Sequence, residues 1–412
     1  MTIFAYRQIL SCFFILFLVY ISMEIGRYLT ENIIADLAEK MVFVGGPRQV
    51  GKTTLATKLI APLFKSSAYL NWDSRGDRKK IIAGELPGIA ELIIYDEIHK
   101  YRQWKTFLKG EWDTHKESRK YLITGSARLN IYRKGGDSLL GRYHYYTLHP
   151  FSLAEILTRK NDIEIFLPLP IADRGYHKEL LSLDRFGGFP AIFTAQNDRT
   201  LRRWHNERHE RLFKEDIRDL EPVRDIGNLQ LLGAMLPGRV GSLLSLNVLR
   251  EDLEVSHRAV THWMNILEQF YYLFRIYPWH QKGLRSLKKE PKLYLFDWSE
   301  IKDEAARFEN LIASHLLKLV HYLQEYEGYK AGLHYLRTPD KKEVDFLVTM
   351  DNKPWFAVEV KLNETEPSPA LRYFGDRLKI PFLYQACKKE NIDLIRNNIR
   401  VLSADRLLAA LI

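Results

Sequence analysis

Cysteine is nearly absent: Cys12 and Cys387 are all that 412 residues contain. Two thiols build neither a disulfide framework nor a cysteine-based zinc site, and such usage suits a reducing compartment. The thirteen histidines do not fall into an H-E-x-x-H or similar metal-ligating spacing. Long apolar runs are equally scarce. Only Ile9 to Ser22 is membrane-like, and about 14 residues of helix span about 21 Å against the roughly 30 Å of a hydrocarbon core. Arg7 ahead of the run favours a cytosolic N-terminus, which would send everything after it outside. No small-residue cleavage site follows, so a secretory leader fits poorly. Three readings stay open for residues 1–22: translated upstream sequence with Met23 as the true start, a membrane anchor, or a buried or dimerising helix. The membrane reading is the less favoured, and a cytoplasmic location is expected.

What is present is the composition of a globular chain, 46% hydrophobic and 27% charged. The length calls for about two to four domains. The formal net charge of +10 is compatible with a polyanionic partner but speaks to association rather than fold.

The most informative stretch runs from Met41 to Thr54. An apolar strand leads into a Gly/Pro-rich turn and then a helix. Gly46 to Thr53 fits G-x-x-x-x-G-K-[ST], whose backbone N–H groups curl around a polyphosphate at a helix N-terminus. The nucleotide-binding residues expected here are Gly46, Pro47, Arg48, Gln49, Val50, Gly51, Lys52, Thr53 and Thr54. Lys52 would reach the β- and γ-phosphates, and the Thr53 hydroxyl would ligate Mg²⁺. The helix is expected to end at Pro62. Downstream, Glu91 to Glu97 is an apolar strand closed by two carboxylates. Asp96 would hold Mg²⁺ and Glu97 would orient and polarise the attacking water. A further strand over 119–126 ends at Ser126, placed by chain order to sense the γ-phosphate. Arg142, after Asp137 to Gly141, is a candidate for stabilising charge on the transferred phosphoryl group, in its own subunit or a neighbour's.

Gly-Pro-Arg-Gln-Val-Gly-Lys-Thr-Thr (46–54), Tyr-Asp-Glu-Ile-His-Lys (95–100), Thr-Gly-Ser (124–126) and Leu-Leu-Gly-Arg (139–142) followed by Pro150-Phe151-Ser152 resemble a prokaryotic AAA+ ATPase family. That family carries a C-terminal domain of unknown function related to restriction-endonuclease folds. The resemblance covers essentially everything after Met23. It implies an α/β P-loop core, ATP rather than GTP, and a homo-oligomer, often of six subunits. It names no substrate.

The rest of the chain divides accordingly: an extension over 1–22, the nucleotide-binding core over 23–158, a helical lid over 159–221, a winged helix-turn-helix over 222–282 and a nuclease-like α/β domain over 283–412. In the lid, Gly187 to Pro190 form a turn, and the mixed charge of Arg202 to Arg218 reads as a solvated, salt-bridged face. In the helix-turn-helix, Ser256 is an N-cap, Val260, Trp263, Met264 and Leu267 form the buried stripe, and His257, Arg258, Thr261 and His262 face outward. That face suits either DNA or an intramolecular contact. In the last domain, Asp345 on one strand and Glu359-x-Lys361 on the next resemble the D…E-x-K constellation of restriction-type nucleases. Glu309, on the preceding helix, is an outer ligand candidate for a second metal ion. The chemistry needs two carboxylates sharing Mg²⁺ and a lysine beside the water. Three functions remain in view: an ATPase coupling nucleotide state to the later modules, with nucleic acid as a partner; an ATP-gated nuclease; and a non-catalytic, ATP-dependent switch or scaffold.

Overall fold

A computed structural model describes residues 25–85, 88, 90–126, 139–218, 225–280 and 290–412. The apolar run at 9–22, Met23, the stretch holding Asp137 and Ser138, and the basic connector at 283–289 lie outside the described residues.

The first half is built on a five-stranded, wholly parallel sheet. Helix α1 (Thr30–Asp36) precedes β1 (Met41–Gly45), and α2 (Lys52–Thr54) winds on as a π-helical stretch, Leu55–Ile60, and a 3₁₀ turn, Ala61–Leu63. Pro62 thus lies inside the last helical turn rather than beyond it. It sits near that turn's start, where its missing N–H costs no hydrogen bond. Then come β2 (Ser67–Asn71), α3 (Arg75–Ala83), β3 (Leu92–Asp96), α4 (Trp104–His115), β4 (Lys120–Thr124) and β5 (Tyr143–Thr147). The strand order is β2-β3-β4-β1-β5. Strands β1 and β3 are buried at every position, as a parallel sheet covered on both faces requires. Phe43, Tyr95 and Tyr121 pack under Trp104 and Leu108 of α4, while Val42, Val44 and Leu122 pack under Ile33 of α1 and Ile60.

A helical region follows: α5 (Leu153–Ile156), α6 (His177–Phe186), α7 (Pro190–Ala195) and α8 (Asp198–Arg211), which continues as a π-helical stretch, Leu212–Ile217. Gly188 is required here, because a Cβ would stand 2.6 Å from the carbonyl oxygen of Phe151. Helices α9 (Ile226–Met235), α10 (Leu246–Asp252) and α11 (His257–Gln269) come next. Ser256 caps α11 through the Ala259 amide, Val260, Trp263, Met264 and Leu267 are buried, and His257, Arg258 and His262 are exposed.

The hairpin after α11 departs from the expected division at 282. Strand β6 (Leu273–Pro278) pairs antiparallel with β7 (Lys292–Leu295) and, at its far end, parallel with β8 (Ala331–Arg337). The hairpin is therefore the edge of the C-terminal sheet. Between them runs α12 (Glu304–Glu325). The sheet is completed by β9 (Glu343–Met350), β10 (Lys353–Lys361), β11 (Phe382–Cys387), β12 (Asp393–Arg396) and β13 (Ile399–Ser403), in the order β12-β13-β11-β10-β9-β8-β6-β7. Helices α13 (Pro369–Leu378) and α14 (Ala404–Leu408) pack on it.

A buried ionic cluster ties the two halves together. Glu155 accepts from Arg27 Nε at 3.0 Å and pairs with Lys318 of α12, all three side chains being at most 4% exposed. Arg27 also donates to the carbonyl of Val50 at 2.7 Å, and Lys318 to Ser152 Oγ at 2.8 Å. Burial alone would raise the Glu155 carboxyl, but Arg27 and Lys318 outweigh it and hold it at about 2. A carboxyl depressed on folding contributes stability above its ordinary value near 4.5, and that contribution is lost as pH falls from there towards 2. Glu155→Gln leaves two buried cations without their counter-charge. It should cost about 3–5 kcal/mol in denaturant unfolding and flatten the loss of stability in that pH window. An unfolding free energy within about 1 kcal/mol of wild type would contradict the assignment.

Candidate nucleotide-binding site

The site lies where β1 and β3 end and α2 begins. The loop after β1 closes sharply: Gly46 has φ +135°, and a Cβ there would stand 2.4 Å from the carbonyl oxygen of Leu148. Gln49 and Gly51 also take positive φ, +63° and +99°. Pro47 and Val50 are buried, whereas Arg48, Gln49, Thr53 and Thr54 face outward.

Lys52 is 6% exposed. Its ammonium folds back over the loop and donates to the carbonyls of Gly46 (3.0 Å) and Pro47 (2.7 Å). Burial lowers it to about 8, against the raising influence of Glu97 and Asp96. Thr53 Oγ1 donates to Asp96 Oδ2 at 2.8 Å, so the phosphate loop and the acidic strand end meet directly. Tyr69 donates to the same oxygen at 2.7 Å and Thr124 to Asp96 Oδ1 at 2.6 Å. Asp96 is thus aimed by hydroxyls from β2, β4 and α2. Glu97 follows with φ +56°, its amide bonded to the carbonyl of Thr124 at 2.8 Å. Its Oε2 stands 3.4 Å from His99 Nε2 and 3.7 Å from Lys100 Nζ. Burial raises its carboxyl, with Lys52 and Lys100 acting against that, which favours a proton-accepting role.

Ser126 lies past the end of β4 and lines a cleft with Arg48, Gln49, Arg208, Arg211 and Asp216. The helical region therefore covers the loop. Arg48 pairs with Asp216, and Pro190 Cγ lies 3.7 Å from the position of a Cβ on Gly51. Arg208 is held by Glu300 at 2.7 Å and lies over the Phe189 ring. A roomier cavity of about 510 Å³ lies elsewhere, between β5, β6 and α12, and none of the motif residues lines it.

Arg142 is not brought to this cluster. Met41 pairs with Tyr143 and Gly45 with Thr147, so Arg142 stands at the opposite end of β5 from the loop. Four residues of strand separate the two by about 13 Å. Its guanidinium holds Asp113 of α4, at 2.9 and 3.3 Å. Within one chain it is a structural ion pair; chain order alone had not revealed which end of the strand it would occupy.

The C-terminal candidates do converge. Glu309, Asp345, Glu359 and Lys361 surround one spot on α12, β9 and β10, but Lys292 of β7 stands among them, 3.3 Å from Glu309 and 3.3 Å from Asp345. Lys361 pairs with Glu359 at 3.0 Å. Burial, with the Asp345 charge adding to it, pushes Glu309 and Glu359 up to about 7. Among the described residues no group of three or more His, Cys, Asp or Glu side chains is arranged so that it could hold a metal ion. The sequence had not pointed to Lys292, Arg27, Tyr69 or Arg211. Only Arg211 carried a signal, standing three residues from Arg208 and so on the same helix face.

Family models match three successive stretches: an AAA domain over residues 38–157, and domains of unknown function over 179–299 (DUF8612) and 305–407 (DUF4143). The five-stranded parallel sheet, from Met41 to Thr147, lies within the stretch that the AAA domain model matches. An uncharacterized protein of Methanocaldococcus jannaschii is 23% identical over 367 residues, covering 83% of this chain and 80% of its own. One of Mycobacterium tuberculosis is 22% identical over 339 residues, covering 79% of this chain and 71% of its own. Among solved structures, the Aeropyrum pernix ORC1 protein in complex with DNA aligns at TM-score 0.33 and 13% identity, over 71% of this chain and 94% of that one. The Thermotoga maritima RuvB Holliday junction branch migration motor aligns at TM-score 0.29 and 19% identity, over 64% and 93%. No described helix is long and apolar enough to cross a membrane.

Gly46→Ala tests the loop geometry. The added methyl meets a backbone oxygen and sits at an unfavourable φ, a strain of about 1–3 kcal/mol. Fluorescent-nucleotide titration should register at least about a tenfold loss of affinity, and unchanged affinity would refute the tight-loop description.

Proposed function

We propose that this chain binds Mg-ATP on residues 46–54 and hydrolyses it, using the cycle to move the helical cover and the modules beyond it. The observation that carries the reading is the Thr53–Asp96 hydrogen bond beside a buried Lys52 that donates to two loop carbonyls. The loop is cradle-shaped, and the donor set is the one a magnesium-bound polyphosphate needs. Thr53 and Asp96 would hold the metal, which when bound supplies positive charge against that developing on the phosphates. Lys52 exchanges the Gly46 and Pro47 carbonyls for phosphate oxygens. Glu97 orients the attacking water and accepts its proton, Ser126 contacts the terminal phosphate, and Arg211 adds positive charge from the cover.

The finer parts of the reading follow from the same cycle. A cytoplasmic location suits an ATP-driven machine, and self-assembly into a homo-oligomer would let a neighbour supply the arginine that Arg142 does not. The exposed His257, Arg258 and His262 of α11, with the net positive charge, favour nucleic acid as a partner. A second reading, an ATP-gated nuclease, has the convergence of Glu309, Asp345, Glu359 and Lys361 in its favour and Lys292 against it.

Lys52→Ala should abolish ATP turnover and weaken binding by at least about a hundredfold. Glu97→Gln should leave ATP bound while slowing cleavage by about 10²–10⁴-fold. Equilibrium binding beside single-turnover hydrolysis checks both. Loss of binding in Glu97→Gln would reassign that residue, and full turnover in Lys52→Ala would remove the reading.

A further inference from the structure

The nuclease resemblance implies a divalent ion between Asp345 and Glu359, and the residues around that spot can be asked whether they fit one. Four carboxylates meet there: Glu309 from α12, Glu343 and Asp345 from β9, and Glu359 from β10. Three cations face them: Lys292 from β7, Arg337 from β8 and Lys361 from β10.

Their contacts are specific. The Lys292 ammonium lies 2.7 Å from Glu343 Oε1, 3.3 Å from Glu309 Oε1 and 3.3 Å from Asp345 Oδ1. Its side chain is 3% exposed. An ammonium has three N–H donors and no acceptor, and here each donor has one carboxylate oxygen. The remaining oxygens are mostly taken. Asp345 Oδ2 accepts from the Val360 amide at 2.9 Å, Glu309 Oε1 also accepts from Tyr294 at 2.7 Å, and Glu343 Oε2 pairs with Arg337. Glu359 Oε1 holds Lys361, and Glu359 Oε2 is buried without a hydrogen-bond partner.

A magnesium ion sits 2.0–2.1 Å from its oxygens. The Lys292 ammonium already faces the inward oxygens of Glu309 and Asp345 and supplies the positive charge that an ion there would bring. Nor is Lys292 a loose side chain. Its backbone pairs with Ile276 in the hairpin and bridges to Leu243 ahead of α10.

We propose that Lys292 is the resident cation of this carboxylate cluster, facing the Glu309 and Asp345 oxygens that the nuclease resemblance would give to a metal ion, so that the cluster is a lock fastening hairpin β6–β7 to α12 and β9 and not a metal-dependent cleavage centre. The lock matters for the modules around it. Strand β6 follows α11 directly, so the ammonium also fixes α10 and α11 against the C-terminal sheet. Removing a cation from among three half-buried carboxylates leaves like charges facing each other. Closing of those carboxylates onto the vacated position would then give a hard cation its oxygen ligands. This inference does not rest on the ATP reading, since no residue of the phosphate loop takes part.

The test is Mn²⁺ binding to the nucleotide-free full-length protein, followed by electron paramagnetic resonance, for wild type, Asp345→Asn, Lys292→Ala and the double variant. Wild type and Asp345→Asn are expected to bind the same number of ions. Lys292→Ala should gain one Mn²⁺ per chain, and the double variant should lose it again. Loss of an ion in going from wild type to Asp345→Asn would overturn the proposal, and so would failure of folded Lys292→Ala to gain one. If Lys292→Ala does not fold, the first comparison alone decides, joined by a cleavage assay on single- and double-stranded nucleic acid in Mn²⁺. Wild type should leave both substrates intact, and any cleavage removed by Asp345→Asn overturns the lock.

Discussion

The pairing of Glu155 with both Arg27 and Lys318 is the constraint on which the arrangement of the chain depends. One buried carboxylate serves two cations that lie far apart in the sequence. Such a cluster is stable only when complete, because any missing member leaves a charge uncompensated in a low dielectric. Completing it requires the segment ahead of α1, the short helix α5 and α12 to be in place together. Arg27 also holds the carbonyl of Val50, within the phosphate loop itself. A shift of that loop is therefore felt by Glu155 and through it by α12. The same helix reaches the core again at its far end, where Glu325 accepts from the amide and hydroxyl of Thr147, both at 2.7 Å. Helix α12 is a beam resting on the nucleotide-binding sheet at one end and carrying Glu309 at the other.

The cover over the loop is held more lightly. Arg48 and Asp216 meet at a partly exposed pair, and exposed ion pairs contribute little to stability. The apolar part of the contact is firmer: Phe189 and Trp204 pack into the same cluster as Val44 and Val50. This division suits a cover that stays docked while its charged edge rearranges around an anion.

The phosphate loop and the acidic strand end were legible because their chemistry is local. Gly46, Gly51, Lys52 and Thr53 form one turn, and Asp96 and Glu97 close one strand, so spacing along the chain already fixes spacing in space. The N-cap at Ser256 and the apolar stripe of α11 were legible for the same reason. That Arg142 stands away from the loop of its own chain was not legible, because its position depends on the register of β5 against β1, which chain order does not contain. Tyr69 and Thr124 were missed as partners of Asp96 because strand adjacency is a property of the sheet. Lys292 was invisible for a stronger reason: nothing in Pro291 to Asp297 says that β7 will lie beside α12 and β9. Glu309, Asp345, Glu359 and Lys361 lie on neighbouring elements, and Lys292, outside the motif, stands against two of them.

The sharing of hairpin β6–β7 has a consequence for how the polypeptide matures. Strand β6 gains a second neighbour only at Tyr277 and Pro278, through β8, and β8 is made dozens of residues later. As the chain leaves the ribosome, α10 and α11 emerge with an unfinished edge beside them, and that edge stays open until α12 and the following strands have been synthesised. Non-local pairing of this kind is slow, and open edges invite wrong partners. The strand pairing of the first sheet, complete by Thr147, needs no later strand, although its contacts with α12 do wait for that helix.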